Sequence, residues 1–283
     1  MPRTTQIDPS RTTTIRRAFA ADIVRRFRAV QASIKEVVVV RDVFGLMPAK
    51  HIVVHQDLPP RAFEFKNDPG KIEAFRAWLK EMTDAKILST DYKGDPWLAK
   101  YIESAYKKGK LRGYQQVIRS RRTKEEPVMP SIGVVFGAPE TVIAVQALFT
   151  RAFNELRGVN DAMAQQLSRI LSQGFAQGQN PIEIARAMTR EIDVLTRQRA
   201  VLIARTETIR AHAEAQLDAY KEMSIEQVEV LAEWLTAGDD RVCPLCSAKS
   251  GAVYTVDEAR GMIPMHPLCR CAWAPVAVRK AAA

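Results

Sequence analysis

The chain has no run of apolar residues long enough to cross a bilayer. Its N-terminus, Met1-Pro-Arg-Thr-Thr-Gln, lacks the charged-then-apolar pattern of a secretory signal. These two absences argue against a membrane anchor and an export route, and predict a soluble protein made in the cytosol. Cysteine is missing from the first 242 residues, and all four copies fall between Cys243 and Cys271. Histidine is equally scarce at four, and one of them, His266, joins that cluster. Clustered cysteines in a chain without a signal point to a metal site, with two disulfides as the alternative.

What is present divides unevenly. The net charge is +10 over 283 residues, enough for two domains or one large one. Residues 1–130 hold 26 Lys+Arg against 15 Asp+Glu (+11), and residues 131–283 hold 16 against 17 (−1). The basic front suggests an acidic partner such as nucleic acid, or simply a well-solvated surface.

In the first half, residues 1–10 read as an arm. A helix is predicted from Ser10–Thr14 to Val40, with a coiled-coil-type seam of Ile23, Phe27, Val30, Ile34 and Val37. Arg16, Arg17, Arg25, Arg26 and Arg28 crowd its first half, so the seam is a candidate for docking on a second helix or partner. The β-branched end, Val37 to Val40, is expected to fray or continue as a strand. His51 and His55 sit on an expected short strand and read as structural or surface residues. Asp68-Pro69 and Asp95-Pro96 open two helices. Their aromatic residues, Phe75, Trp78, Trp97, Tyr101, Tyr106 and Tyr114, recur at helical spacing and are assigned to packing. Lys107, Lys108, Lys110 and Arg112 share the second of these, and Arg121 and Arg122 lie in a basic run after it. Pro127, Pro130 and Gly133 mark a boundary.

The second half reads as a compact helical bundle. A helix from Pro139 ends at Gly158, and one capped by Asn160 or Asp161 runs to Gly178. A short one opens at Asn180-Pro181, and a long one spans about Leu195 to Met223. The period then changes to two. Glu226 to Leu235 is a predicted strand, Gly238 to Arg241 a turn, and Ala252 to Thr255 the returning strand. Asp257 to Arg260 is one helical turn, Pro264 to Cys271 a loop, and residues 276–283 a disordered tail. The expected fold class is therefore mainly α. A bundle is followed by a small β-hairpin, zinc-knuckle-like unit over residues 137–275, with a separate basic helical region over 1–130.

Two soft ligands two residues apart aim at one ion, and a second pair about twenty residues on completes a tetrahedron. Cys243-Pro-Leu-Cys246 is the first pair. The second is drawn from His266, Cys269 and Cys271, with His266 and Cys269 favoured and Cys271 the alternate. Five candidates for four positions argue for a closed, structural zinc. A catalytic zinc keeps a position open and needs an acid or base nearby, and no Glu or Asp sits inside a ligand motif. Arg205 and Glu207, on an otherwise apolar helix, need partners. Asp239, Asp240 and Arg241 in the turn are the candidates, tying the hairpin to the bundle.

The run Ile-Ala-Arg205-Thr-Glu207-Thr, then Trp234-Leu-Thr-Ala-Gly-Asp239-Asp-Arg241-Val-Cys243-Pro-Leu-Cys246, then Pro264-Met-His266-Pro-Leu-Cys269-Arg-Cys271 resembles the phage Mu F-like minor head proteins, also called phage head morphogenesis proteins. The likeness covers roughly residues 140–275. The helix with Trp97, Tyr101 and Tyr106 is similar to their upstream region more loosely. Ser247-Ala-Lys249-Ser250-Gly251 departs from the pattern, where a larger apolar residue would precede the glycine. The resemblance implies a low-copy, non-enzymatic protein of the tailed-phage head interior, present in the host cytoplasm during assembly. It implies the portal protein and other head proteins as partners, double-stranded DNA as a further contact, and no membrane or small-molecule substrate. The basic side chains named above, Arg16, Arg17, Arg25, Arg26, Arg28, Lys107, Lys108, Arg121 and Arg122, are the candidates for DNA or portal contact. A zinc-containing, nucleic-acid-binding regulator is the alternative reading, and a nuclease or transferase a third.

Overall fold

A computed structural model describes residues 8–41, 43, 70–91, 93–120, 131–177, 179–224 and 228–279. The fold is mainly α, with a small antiparallel sheet near the C-terminus. The elements are α1 (Thr13–Lys35, continued by a π-helical turn Glu36–Val40), α2 (Gly70–Ile87), α3 (Ala99–Ser120), α4 (Ile132–Gly137), α5 (Pro139–Ala176), α6 (Pro181–Met223), β1 (Val228–Leu235), α7 (Pro244–Ser247), β2 (Val253–Tyr254), α8 (Val256–Ala259) and β3 (Ala272–Arg279). The chain forms two compact units that interleave in sequence instead of dividing at residue 130. One comprises Met1–Ala20, Leu98–Ala152 and Val201–Ala283, and the other Ala21–Trp97 and Phe153–Ala200.

The second of these units is a helical core. Ile23, Phe27, Val30 and Ile34 are buried, and so is Val38 rather than Val37. The π-turn explains the change, because its i→i+5 bond from Arg41 N–H to Glu36 O (2.9 Å) adds a residue and shifts the buried face by one. The seam is thus covered by the chain itself and is not a free docking face. Phe75, Leu79, Leu156, Met163, Leu167, Ile184 and Met188 complete the core. Gln31 Nε2 donates to Thr189 O (3.0 Å) and Asp193 Oδ1 (2.9 Å). Arg26 donates to Lys86 O and Ser89 Oγ (2.7 Å each) and lies 4.1 Å over the Trp97 ring.

Two expected breaks do not occur. Gly158 does not end α5. It costs that helix about 1 kcal/mol relative to Ala, while Leu156 and Met163 on either side of it are buried. Asn160 caps nothing; its amide donates to Asp84 Oδ1 at 2.9 Å. Likewise α6 runs unbroken from Pro181, opened by Asn180, whose side chain accepts from Ile182 N–H (2.9 Å).

The first unit carries the sheet. Its strand order is β2-β1-β3, all antiparallel, with Ala232 opposite both Tyr254 and Pro275, and Trp234 opposite Trp273. Trp234 and Trp273 are fully buried and meet edge to face at 5.3 Å. β3 corrects one expectation, a tail disordered from residue 276, since the strand continues through Arg279. The sheet is tied to α6 by Gln216, whose Nε2 donates to Trp273 O (2.9 Å) and whose Oε1 accepts from Trp273 N–H (3.3 Å). On α3, Gly109 and Gly113 face α6 so closely that a Cβ at Gly109 would lie 2.3 Å from His212 O. The two helices therefore pack backbone to backbone. His51, His55, Arg121 and Arg122 lie outside the described residues.

Candidate metal centre

Two short turns with the same Pro-Leu-Cys ending bring the ligands together. In the first, Cys243 is extended (φ −69°, ψ 157°) and caps α7, its Sγ accepting from Cys246 N–H at 3.4 Å, with Pro244 at the first helical position. In the second, Cys269 N–H returns to His266 O (3.2 Å), and Leu268 takes a left-handed conformation (φ 64°). β3 then begins one residue after Cys271. The hairpin and the helical turns between the two ligand pairs are fixed locally. Thr255 and Glu258 form a capping box at α8, and Gly251, at φ 81°, returns its N–H to Trp234 O (2.9 Å).

The donor atoms form two triads that share Cys246. Cys243, Cys246 and His266 lie within 4.8 Å of one another, as do Cys246, Cys269 and Cys271. His266 Nε2 is 3.2 Å from Cys243 Sγ and 3.1 Å from Cys246 Sγ, and Cys246 Sγ is 3.9 Å from Cys269 Sγ. A tetrahedral zinc separates its ligand atoms by roughly 3.6–3.8 Å, so these spacings fit one ion with small adjustments. His266 Nδ1 is 2.8 Å from Pro267 O, which fixes that nitrogen as the donor and leaves Nε2 facing the thiols with its lone pair. All four cysteines are free thiols. The donor chemistry therefore suits a soft or borderline divalent ion, zinc above all.

The thiols differ sharply. A hydrogen bond from Cys271 and backbone N–H groups draw the Cys269 pKa down to about 5 despite burial. Burial and the neighbouring Cys269 thiolate push Cys246 up to about 12. Its hydrogen bond to Cys269, burial and that same thiolate raise Cys271. Backbone N–H donation from Cys246 lowers Cys243. The cluster thus stores one thiolate readily, and an ion must displace protons from the others. Such a centre can clip two turns together; with five donors for four positions it suits a closed shell.

The expected Arg205, Glu207, Asp239 and Arg241 group does not form as one. Asp239 is held by Arg270 through two bonds of 2.5 Å, with Arg241 at 3.9 Å. Glu207 pairs with Arg151 (3.7 Å) and Arg210 (3.5 Å). Arg205 has no hydrogen bond or ion pair among the described residues. Its neighbour Thr206 makes the link instead, Oγ1 accepting from Leu268 N–H at 3.3 Å. Arg270, inside the ligand motif, was passed over because a residue between two cysteines reads as spacer.

The hairpin is also anchored at Arg260, which reaches Glu214 (3.3 Å) and Asp218 (2.6 Å) on α6, while Glu214 accepts from Gly261 N–H (2.8 Å). Glu222 completes a row at four-residue spacing and takes Lys110 at 2.8 Å and Tyr114; Asp218 takes Tyr106. Lys110 is fully buried and also donates to Thr141 Oγ1 (2.8 Å), so it is not part of a basic face. Three carboxylates at i, i+4 and i+8 on an alanine-rich helix were the signal that could have found this row.

The basic candidates separate as well. Arg16 is buried and bound to Asp8 (2.5 Å), and Arg26 is used in its own core, so neither is a free surface contact. Arg25 is exposed and paired with Asp22. Arg17 and Arg28 are exposed, as are Lys107, 3.9 Å from Glu103, and Lys108, which donates to Arg11 O at 2.5 Å. No helix among the described residues is long and apolar enough to cross a membrane.

Residues 165–274 match the family described as phage Mu protein F like protein. No curated protein and no solved structure matches the chain.

Proposed function

Starting from a chain whose residues 165–274 belong with the phage Mu protein F like proteins, we propose that it is a minor structural protein of a tailed-phage head. It acts in head morphogenesis, associates with the portal and other head proteins, and is retained in the virion interior. The observation that carries this reading is one of coincidence. The matched span contains the end of α5, all of α6, β1, β2, the start of β3 and every ligand of the Cys/His cluster, so the likeness takes in the whole set of candidate metal-binding residues.

Cys243, Cys246, His266 and Cys269, with Cys271 beside them, would hold a structural zinc. Zinc in such a shell supplies folding free energy, on the order of 10 kcal/mol in small zinc modules. The chain's own residues do the rest. Pro267 O orients the imidazole, Gln216 docks β3 and Arg260 the loop after α8 on α6, and Asp239 fixes the Arg270 side chain. Catalysis has no place in this reading. Contact with DNA or the portal is assigned to the exposed Arg17, Arg28, Lys107 and Lys108.

A nonsense allele in the phage that encodes this chain tests the proposal. Electron microscopy should show a loss of filled heads, restored when the wild-type chain is supplied in trans. Normal yields of filled, infectious particles without the chain would contradict a role in head morphogenesis.

A further inference from the structure

A cavity of about 280 Å³ opens beside the sheet, lined by Trp234 on β1, Lys249 in the turn before β2, and Gly261, Met262, Pro264 and Met265 in the loop after α8. All of these residues belong to one compact unit. Trp234 is wholly buried, and its indole Nε1–H has no hydrogen-bond partner among the described residues, although a buried indole N–H usually finds one. Met265 is 38% exposed at the cavity, and Met262 is half-buried. Methionine is flexible and polarizable, so these two can mould themselves round an apolar guest. Lys249 Nζ donates to Tyr254 Oη (3.2 Å) and lies 5.9 Å from the Trp234 ring and 5.4 Å from the Tyr254 ring. Those contacts hold the ammonium group in place, yet it has no ion pair among the described residues.

Size and lining together select a class of guest. Small-molecule and cofactor sites run to roughly 300–1,000 Å³, so this cavity is too small for most of them and suits a single large side chain with part of its neighbour. Nucleic acid needs several cations along its backbone, and the lining holds one lysine. Tryptophan and methionine are instead over-represented in the cores of protein interfaces. We infer that the cavity docks a segment of a partner protein in which an apolar side chain sits beside an aspartate or glutamate. The apolar group packs against Trp234, Met262 and Met265, and the carboxylate pairs with Lys249. Charge complementarity argues for the acidic neighbour, because Tyr254 orients the Lys249 ammonium and no carboxylate among the described residues neutralises it. The inference does not depend on zinc or on the role in the head, since no lining residue is a candidate metal ligand.

The full chain as purified is isotopically labelled at its tryptophan indole nitrogens, and the Nε1–H resonance of Trp234, assigned with Trp234→Phe, is followed by NMR. The probes are two capped tetrapeptides, Gly-Leu-Glu-Gly and Gly-Glu-Leu-Gly, with their Gln-for-Glu and Ala-for-Leu counterparts. At least one of the pair should shift the Trp234 resonance saturably at concentrations up to about 10 mM, which covers a Kd near 1 mM. Gln for Glu should weaken that binding about fivefold, the upper end for an exposed ion pair, and Ala for Leu by at least about tenfold. Lys249→Gln should lose the same factor toward the glutamate peptide and nothing toward the glutamine one. No Trp234 shift with either peptide overturns the inference, and so does equal binding of the glutamate and glutamine peptides. A shift that grows with protein concentration alone assigns the cavity to a second copy of the chain and overturns it too. The peptide comparisons use the wild-type chain, so the test stands even if Lys249→Gln loses stability.

Discussion

Gly109→Ala probes the closest contact in the fold. The added Cβ would sit 2.3 Å from His212 O and 2.9 Å from His212 C and Cα. Ordinary contacts begin near 3.4 Å, so α3 and α6 would have to part by roughly 1 Å at that level. The obstacle is helical backbone and cannot rotate aside. Overpacking of this kind costs typically 1–3 kcal/mol, and a rigid obstacle places it at the upper end. The alanine returns about 1 kcal/mol of helix propensity. The net expectation is a loss of about 2 kcal/mol, a large fraction of a domain's stability. Gly158→Ala is the matched reference. It lies inside α5 with nothing within 4 Å of its would-be Cβ and should gain about 1 kcal/mol. Urea unfolding of the full chain by circular dichroism reads both. The two residues fall in different compact units, so each transition is fitted separately. A Gly109→Ala chain as stable as wild type would refute the close packing of α3 on α6.

Further outcomes follow from the same structure. Cys246 belongs to both triads, so Cys246→Ser should abolish zinc retention, measured as metal per chain after gel filtration; a full complement in the variant would remove Cys246 from the centre. Trp273→Ala should destabilise by about 3–5 kcal/mol in denaturant unfolding, since the ring is wholly buried against Trp234; a loss under about 1 kcal/mol would contradict that packing. His212 is kept neutral by burial, with its pKa lowered to about 3. The unfolded chain takes up that proton below its ordinary 6.5, so the stability His212 confers is complete above pH 6.5 and is lost as pH falls toward 3, at up to about 1.4 kcal/mol per pH unit. His212→Gln should flatten unfolding stability between pH 6.5 and 5; an unchanged slope would place the titration elsewhere.

Much of the site was readable from spacing alone. The period of two at Val228–Leu235, the returning strand at Tyr254 and the turn after Thr255 are local patterns with local causes, and the structure has all three. The long helices were less legible because glycine and asparagine carry two meanings. Gly158 and Asn160 look like a stop and a start, yet long-range burial of Leu156 and Met163 and the bond to Asp84 override them. β3 was missed because Pro275 argues against a strand. It is tolerated on β3 because that strand lies at the sheet edge, where a missing N–H leaves no ladder bond unmade. The seam of α1 was correctly apolar, but sequence could not say what covers it. Likewise, the fate of Arg205, Arg270 and Lys110 depends on which charges the fold brings beside them, a relation between distant segments that no spacing rule encodes.

The central claim is that this is a structural protein of the phage head. Quantitative mass spectrometry of purified virions and procapsids from the encoding phage tests it most directly. The account predicts the intact chain in both, at a low copy number comparable to the portal and far below the major capsid protein. Its absence from both particles, with the chain abundant only in the free lysate fraction, would contradict it.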